Sequence, residues 1–253
     1  MPQPSAAIHR PRPDVSAGII ETFLVFEGRP VELEAHMTRL RTSARILYAE
    51  DPAEARELVL KRARGAWLGR MRLTVEPAPG GGLEPSVVVA AFDPDNVFPT
   101  GEFCSSLVSV TVDRGYGEHK WADRALLSQT ELDAGPGTAP LLLDEKGTVL
   151  ETSRANVFAI RDGRLLTPPL DGGILPGIAR AAVLELAAEH HIEAAEKGFD
   201  LASLRESDEV FVTGSLRGVE PIKAIDGEAV ETEGPVTQLL AAALRQRWFG
   251  AWT

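Results

Sequence analysis

At 253 residues the chain is long enough for one large domain or two modest ones, each with a real core. Its 26 basic and 37 acidic residues leave a formal charge of −11, which argues against general nucleic-acid binding but permits an anionic ligand held by a local arginine cluster. The single cysteine, Cys104, excludes an internal disulfide framework and a cysteine-rich zinc site, so no metal is expected, and no apolar run reaches membrane-spanning length.

Met1 to Asp14 is rich in proline and small residues and lacks the apolar block of a signal peptide. It is expected to be a loose arm on a cytoplasmic protein. Ile19 to Glu27 alternates as a strand, Gly28-Arg29-Pro30 reads as a turn, and Val31 to Leu33 reads as a returning strand. From His36 a helix is expected, with Met37, Leu40, Ala44 and Leu47 on its buried face. Asp51-Pro52 reads as the capped start of a second helix running to Trp67. Arg70 to Val75 alternates again. Pro77 to Gly82 is a turn. Ser86 to Phe92 is an apolar strand, with both faces expected to be covered. Leu107 to Val112 is a further strand, and Asp113 to Gly117 a linker.

Beyond Lys120 the pattern changes. Asp123 to Leu132 reads as helix. Leu141 to Leu143, Thr148 to Thr152, Asn156 to Ile160 and Arg164 to Thr167 read as short strands, with a hairpin turn at Asp162-Gly163. Pro168 to Pro176 is a loop. Gly177 to His190 is a helix, Asp200 to Leu204 a short one, and Val210 to Thr213 a strand ending at Gly214-Ser215. Gly234-Pro235 opens a last helix, with Val236, Leu239, Leu240, Ala243, Leu244 and Trp248 expected along its buried stripe. The result is an α/β (α+β type) chain in two parts. These are a small N-terminal domain over residues 1–112 and a larger C-terminal domain over 121–253, joined by a linker over 113–120, with a pocket expected at the junction.

Pyridoxal phosphate makes three separable demands of a protein: an amine for a Schiff base, a carboxylate for the pyridine nitrogen, and amide, hydroxyl and arginine donors for the phosphate. Lys120 is the candidate amine and Glu151 the candidate carboxylate. The helix start at Gly177-Ile178-Ala179, the hydroxyl of Ser215 and Arg39 are candidate phosphate donors. Taken singly, each of these reads as well or better as an ordinary linker, strand, turn or helix residue. Their conjunction is what carries weight.

His36-x-x-Arg39-Leu40, His119-Lys120-x-x-x-Arg124, Glu151-Thr-Ser-x-x-Asn156-Val-Phe and Leu175-Pro-Gly-Ile-Ala-Arg180 occur in this order. The chain thereby resembles, from about Gly18 to Pro221, the class IV (fold-type IV) pyridoxal phosphate enzymes. These comprise branched-chain and D-amino-acid aminotransferases and aminodeoxychorismate lyases. The resemblance implies that Lys120 is the Schiff-base lysine, Glu151 the acid on the pyridine nitrogen and Arg39 the phosphate arginine. It implies that Ile178 and Ala179 supply phosphate amides next to Gly177, that Ser215 supplies a hydroxyl, that Leu175 packs under the ring and that Asn156 stands beside the site. Ala179 replaces a frequent threonine, so one hydroxyl contact of the family is missing there. A homodimer with its site between two domains is also implied.

Within the family, Ile20-Glu21-Thr22-Phe23, the His119-Lys120 and Arg124 pattern, and Gly214-Ser215-Leu216-Arg217-Gly218 resemble lyase members. The implied reaction converts 4-amino-4-deoxychorismate to 4-aminobenzoate and pyruvate in folate precursor synthesis. The alternative is an aminotransferase acting on branched-chain or D-amino acids. Thr22, Arg72, Arg114 and Arg217, with Arg154, are the candidate substrate contacts. A catalytically silent relative stays open at this level, although the intact Lys120 and Glu151 argue against it.

Overall fold

The computed structural model describes residues 7–9, 12–113, 115, 117–231 and 234–250. The first layer contains β1 (Ile19–Phe26), β2 (Arg29–Pro30), α1 (Leu33–Tyr48), α2 (Ala55–Ala63), β3 (Leu68–Pro77) and β4 (Leu83–Ala91). Its sheet is ordered β2-β1-β3-β4. Glu27 and Gly28 both take positive φ, at 48° and 73°, so they form the two-residue hairpin turn that matches strand twist. The turn therefore lies one residue earlier than Gly28-Arg29-Pro30, β2 is only Arg29–Pro30, and α1 has already begun where a returning strand was expected. Phe23, Val25, Met71, Leu73 and Val75 pack on Met37, Leu40 and Ala44 of α1 and on Val59 of α2.

Two further expectations for this layer fail. Asp51 does not cap α2, which starts at Ala55; its carboxylate instead accepts from Arg45 at 2.6 Å. The apolar run of β4 is not covered on both faces. Its residues alternate in burial, and Val88 is 67% exposed, because no element packs on the outer face of this edge strand among the described residues.

The second layer contains β5 (Ser106–Thr111), α3 (Ala125–Ala134), β6 (Thr138–Leu143), β7 (Val149–Thr152), β8 (Asn156–Arg161), β9 (Arg164–Thr167), α4 (Ile178–Glu189), β10 (Ala194–Glu196), α5 (Leu201–Arg205), β11 (Glu209–Gly214), β12 (Gly218–Pro221), β13 (Ala224–Ile225), β14 (Glu228–Ala229) and α6 (Pro235–Phe249). β5 pairs in parallel with β6, so it belongs to this sheet although it precedes residue 112. The hairpin at Asp162-Gly163 forms as expected, with both residues at positive φ. An equivalent Asp226-Gly227 turn joins β13 to β14.

Phe158 of β8 and Phe211 of β11 stack at 4.9 Å beneath α4 and α6. Leu24 and Phe26 of β1 join the same apolar cluster, which locks the two layers together. In α6 the buried side is Thr237, Leu240, Leu244 and Phe249, whereas Leu239 is 41% exposed. The described part of the N-terminal arm is docked rather than loose: Ile8 donates to Thr111 O at 2.8 Å and accepts from Asp113 N–H.

Candidate active site

A cleft opens where the layers meet, a usual place for a small-molecule site. Lys120, Arg39, Glu151, Asn156, Leu175, Gly177, Ile178, Ala179 and Ser215 all line it. They converge from α1, the linker, β7, β8, the start of α4 and the end of β11.

Lys120 is fixed through its backbone. Its carbonyl accepts from Ile20 N–H at 2.8 Å, Trp121 bridges to Ile19, and Ala122 N–H donates to Gly18 O. The lysine thus rides on the free flank of β1 while its side chain faces the second sheet. Its pKa is pushed down to about 8, chiefly by burial and then by Arg39 and Arg124, against the pull of Glu21 and Glu151. The neutral, nucleophilic amine is therefore a minor form near physiological pH, but far more abundant than for an ordinary lysine.

The acid side of the cleft is one rung of the second sheet. Glu151 of β7 and Thr213 of β11 are both register partners of Asn156 in β8. Direct cross-strand partners project to the same face, so the three side chains stand together. Asn156 Nδ2 donates to Glu151 Oε2 at 3.3 Å and to Leu175 O at 3.0 Å, and Leu175 N–H donates to the same carboxylate oxygen at 3.2 Å. These bonds hold the buried Glu151 in a fixed pose. A side chain at Gly177 would bring its Cβ within 1.9 Å of Asn156 Oδ1, so only glycine lets the α4 start sit this close to the rung.

The N-terminus of α4 carries no side-chain cap, so its first amides point into the cleft. Arg39 lies beside it. Glu21 takes Arg39 Nε and Nη2 at 2.8 and 2.6 Å, and Arg39 Nη1 donates to Pro176 O at 2.8 Å. Three of five guanidinium hydrogens are used, leaving two for a ligand. Burial pushes the Glu21 carboxyl up, but Arg39 and His36 outweigh it and hold it well below the usual carboxylate range. His36 Nδ1 lies 2.7 Å from Glu21 and donates to its carboxylate, while burial pushes the His36 pKa down against the pull of that carboxylate.

Sequence reasoning missed Glu21 as a site-building residue and Thr213 altogether. Their signals were present. Glu21 shares a strand face with Phe23 and Val25, and Thr213 shares one with Phe211.

The candidate substrate contacts fare less evenly. Arg217 stands outside the lining, and its guanidinium donates to Glu220 at 2.6 and 2.8 Å, to Phe103 O at 2.7 Å and to Asn96. Thr22 and Arg72 are register partners across β1 and β3 and also stand outside the lining. Arg72 nevertheless feels Arg154, which does line it. Arg114 lies outside the described residues. Arg154 and Arg124 line the cleft and share Glu131, Arg124 at 3.1 Å.

An amine, a clamped carboxylate and the uncapped start of α4 meet between the two sheets, and the fold is that of the fold-type IV enzymes. A 4-amino-4-deoxychorismate lyase assignment from Legionella pneumophila superposes with a TM-score of 0.82 at 21% identity, over 92% of each chain. A hypothetical aminotransferase from Mycobacterium tuberculosis, in its PLP-bound form, superposes with a TM-score of 0.82 at 21% identity over 99% of this chain and 96% of that one.

The chain belongs to the amino-transferase class IV family, whose model matches residues 18–225. The branched-chain-amino-acid aminotransferase of Escherichia coli K12 is 37% identical over 115 residues, which is 45% of this chain and 36% of that protein. A branched-chain-amino-acid aminotransferase-like protein of Arabidopsis thaliana is 28% identical over 89% of this chain and 45% of its own length. The chain thus spans less than half the length of these curated relatives. Class IV enzymes use pyridoxal phosphate, and the residues fit that group. Beyond the cradle itself, the buried hydroxyl of Thr213 has no protein partner in the cleft wall. Among the described residues no group of three His, Cys, Asp or Glu could hold a metal, and no helix is long and apolar enough to cross a membrane.

Proposed function

We propose that the chain is a pyridoxal phosphate-dependent 4-amino-4-deoxychorismate lyase. In this reading Lys120 carries the cofactor and Glu151 keeps a proton on its ring nitrogen. Arg39, the Ile178 and Ala179 amides and Ser215 bind its phosphate, and Leu175 packs under the ring. When bound, pyridoxal phosphate supplies an electron sink for the carbon that loses a proton. Lys120 Nζ moves that proton, a role suited to an amine whose pKa is about 8.

The observation that carries the choice of reaction is the charge at the cleft mouth. Arg124 and Arg154 share one carboxylate, Glu131, and Arg72 stands behind them with its buried Nε unpartnered. With Asp123 also in the lining, the arginines still outnumber the acids there, which suits a substrate that bears two carboxylates.

The aminotransferase names of the sequence relatives favour transamination as the second reading. Purified protein supplied with 4-amino-4-deoxychorismate and no keto acid is expected to release 4-aminobenzoate and pyruvate. Turnover only with an amino donor and a keto acid together selects transamination. A homodimer in the cytoplasm completes the proposal, with the dimer testable by sedimentation.

A further inference from the structure

We infer that Thr213 is a direct donor to the cofactor phosphate and supplies the hydroxyl contact that Ala179 lacks. The inference rests on the cofactor reading above and adds a residue to it.

Thr213 is 2% exposed, lines the cleft, and its Oγ1 has no hydrogen-bond partner. An unpaired buried hydroxyl costs free energy, and one that faces a cleft is placed to be completed by what binds there. Its direction is set by register. Thr213 faces Asn156 across β8 and β11, and Asn156 Oδ1 lies against Gly177, the residue before the first turn of α4. The hydroxyl therefore stands on the face that carries the α4 amides. It does so two residues before Ser215, at the end of the same strand.

On this strand the ring-side and phosphate-side contacts are separable. Glu151 occupies the far side of the rung, on β7, and its carboxylate is already engaged by Asn156 and by Leu175 N–H. Thr213 occupies the side nearer Ser215. A phosphate seated on the Ile178 and Ala179 amides would then receive hydroxyls from β11 at two positions, Thr213 and Ser215. The side chain that position 179 does not provide from the helix is provided from the sheet.

The test compares pyridoxal phosphate with pyridoxal, which lacks the phosphate, by titrating each into apoprotein and following the visible absorbance. Thr213→Val keeps shape and removes the hydroxyl, Thr213→Ala removes it without added bulk, and Thr213→Ser keeps it. A hydrogen bond to a charged group predicts about a tenfold or greater rise in Kd for pyridoxal phosphate in the Val and Ala variants. Pyridoxal affinity should stay unchanged, and Ser should restore the wild-type value. Equal weakening for both ligands, no weakening for either, or a Ser variant that behaves like Val overturns the inference. Failure of the wild-type protein to develop an absorbance band with either ligand would instead sink the cofactor reading.

Discussion

Replacing Glu21 by leucine tests whether the arginine in the cleft is held by a buried ion pair. Glu21 is 1% exposed and accepts from Arg39 Nε, Arg39 Nη2 and His36 Nδ1. Leucine leaves the Arg39 charge without its counter-ion in a site it shares with Lys120. Breaking such a pair from one side costs about 3–5 kcal/mol. With a urea m-value of about 3 kcal/mol/M, the midpoint of apoprotein unfolding should fall by roughly 1–1.7 M. Adding Arg39→Met removes the stranded charge and should recover part of the loss, because an apolar replacement of the whole pair is often near neutral.

The pH dependence has a definite sign. The folded Glu21 pKa lies below the ordinary value of 4.5, so its stabilisation is fully present above that pH and is lost as pH falls toward the folded pKa. The variant should lack this acid-side loss. A midpoint shift below about 0.3 M, or an unchanged acid limb, would refute the reasoning.

Apoprotein should take up pyridoxal phosphate at a rate that rises with pH and levels off above about 8, as Lys120 becomes neutral; stopped-flow absorbance reads this, and a rise continuing to 10.5 contradicts it. Gly177→Ala drives a methyl into Asn156 Oδ1 and should loosen Glu151, weakening pyridoxal phosphate binding about tenfold or more in equilibrium titration. Arg217→Met should lower the thermal midpoint while leaving KM within about twofold, since its partners are Glu220, Asn96 and a backbone carbonyl. Arg72→Met should raise KM for a dianionic substrate and leave pyridoxal phosphate affinity unchanged.

Most strands and helices were readable because their apolar spacing is local. The turns were readable where Asp-Gly marks them, as at Asp162-Gly163. Glu27-Gly28 was misplaced because a glutamate at positive φ is an unusual choice that no local pattern announces. The nine expected cofactor contacts gather in one cleft because the motif order encodes a tertiary arrangement that each segment alone does not. Arg217 shows the opposite case. Its motif was visible, and so was an acid three residues on at Glu220, but its other partners, Asn96 and Phe103, lie more than a hundred residues away in sequence, and no local pattern announces them. β5 was assigned to the wrong layer for a similar reason: parallel pairing with β6 is non-local, and residue 112 marks a change of composition rather than of sheet.

The bonds that pin Gly18, Ile19 and Ile20 to Lys120, Trp121 and Ala122 have an implication for how the chain tolerates insertion. Along a strand, a slip of one position reverses which side every residue faces. An extra residue between Lys120 and Ala122 would break the pairing frame or turn the amine away from the cleft. The spacer is thus rigid at its last three residues, and natural length variation should spare them.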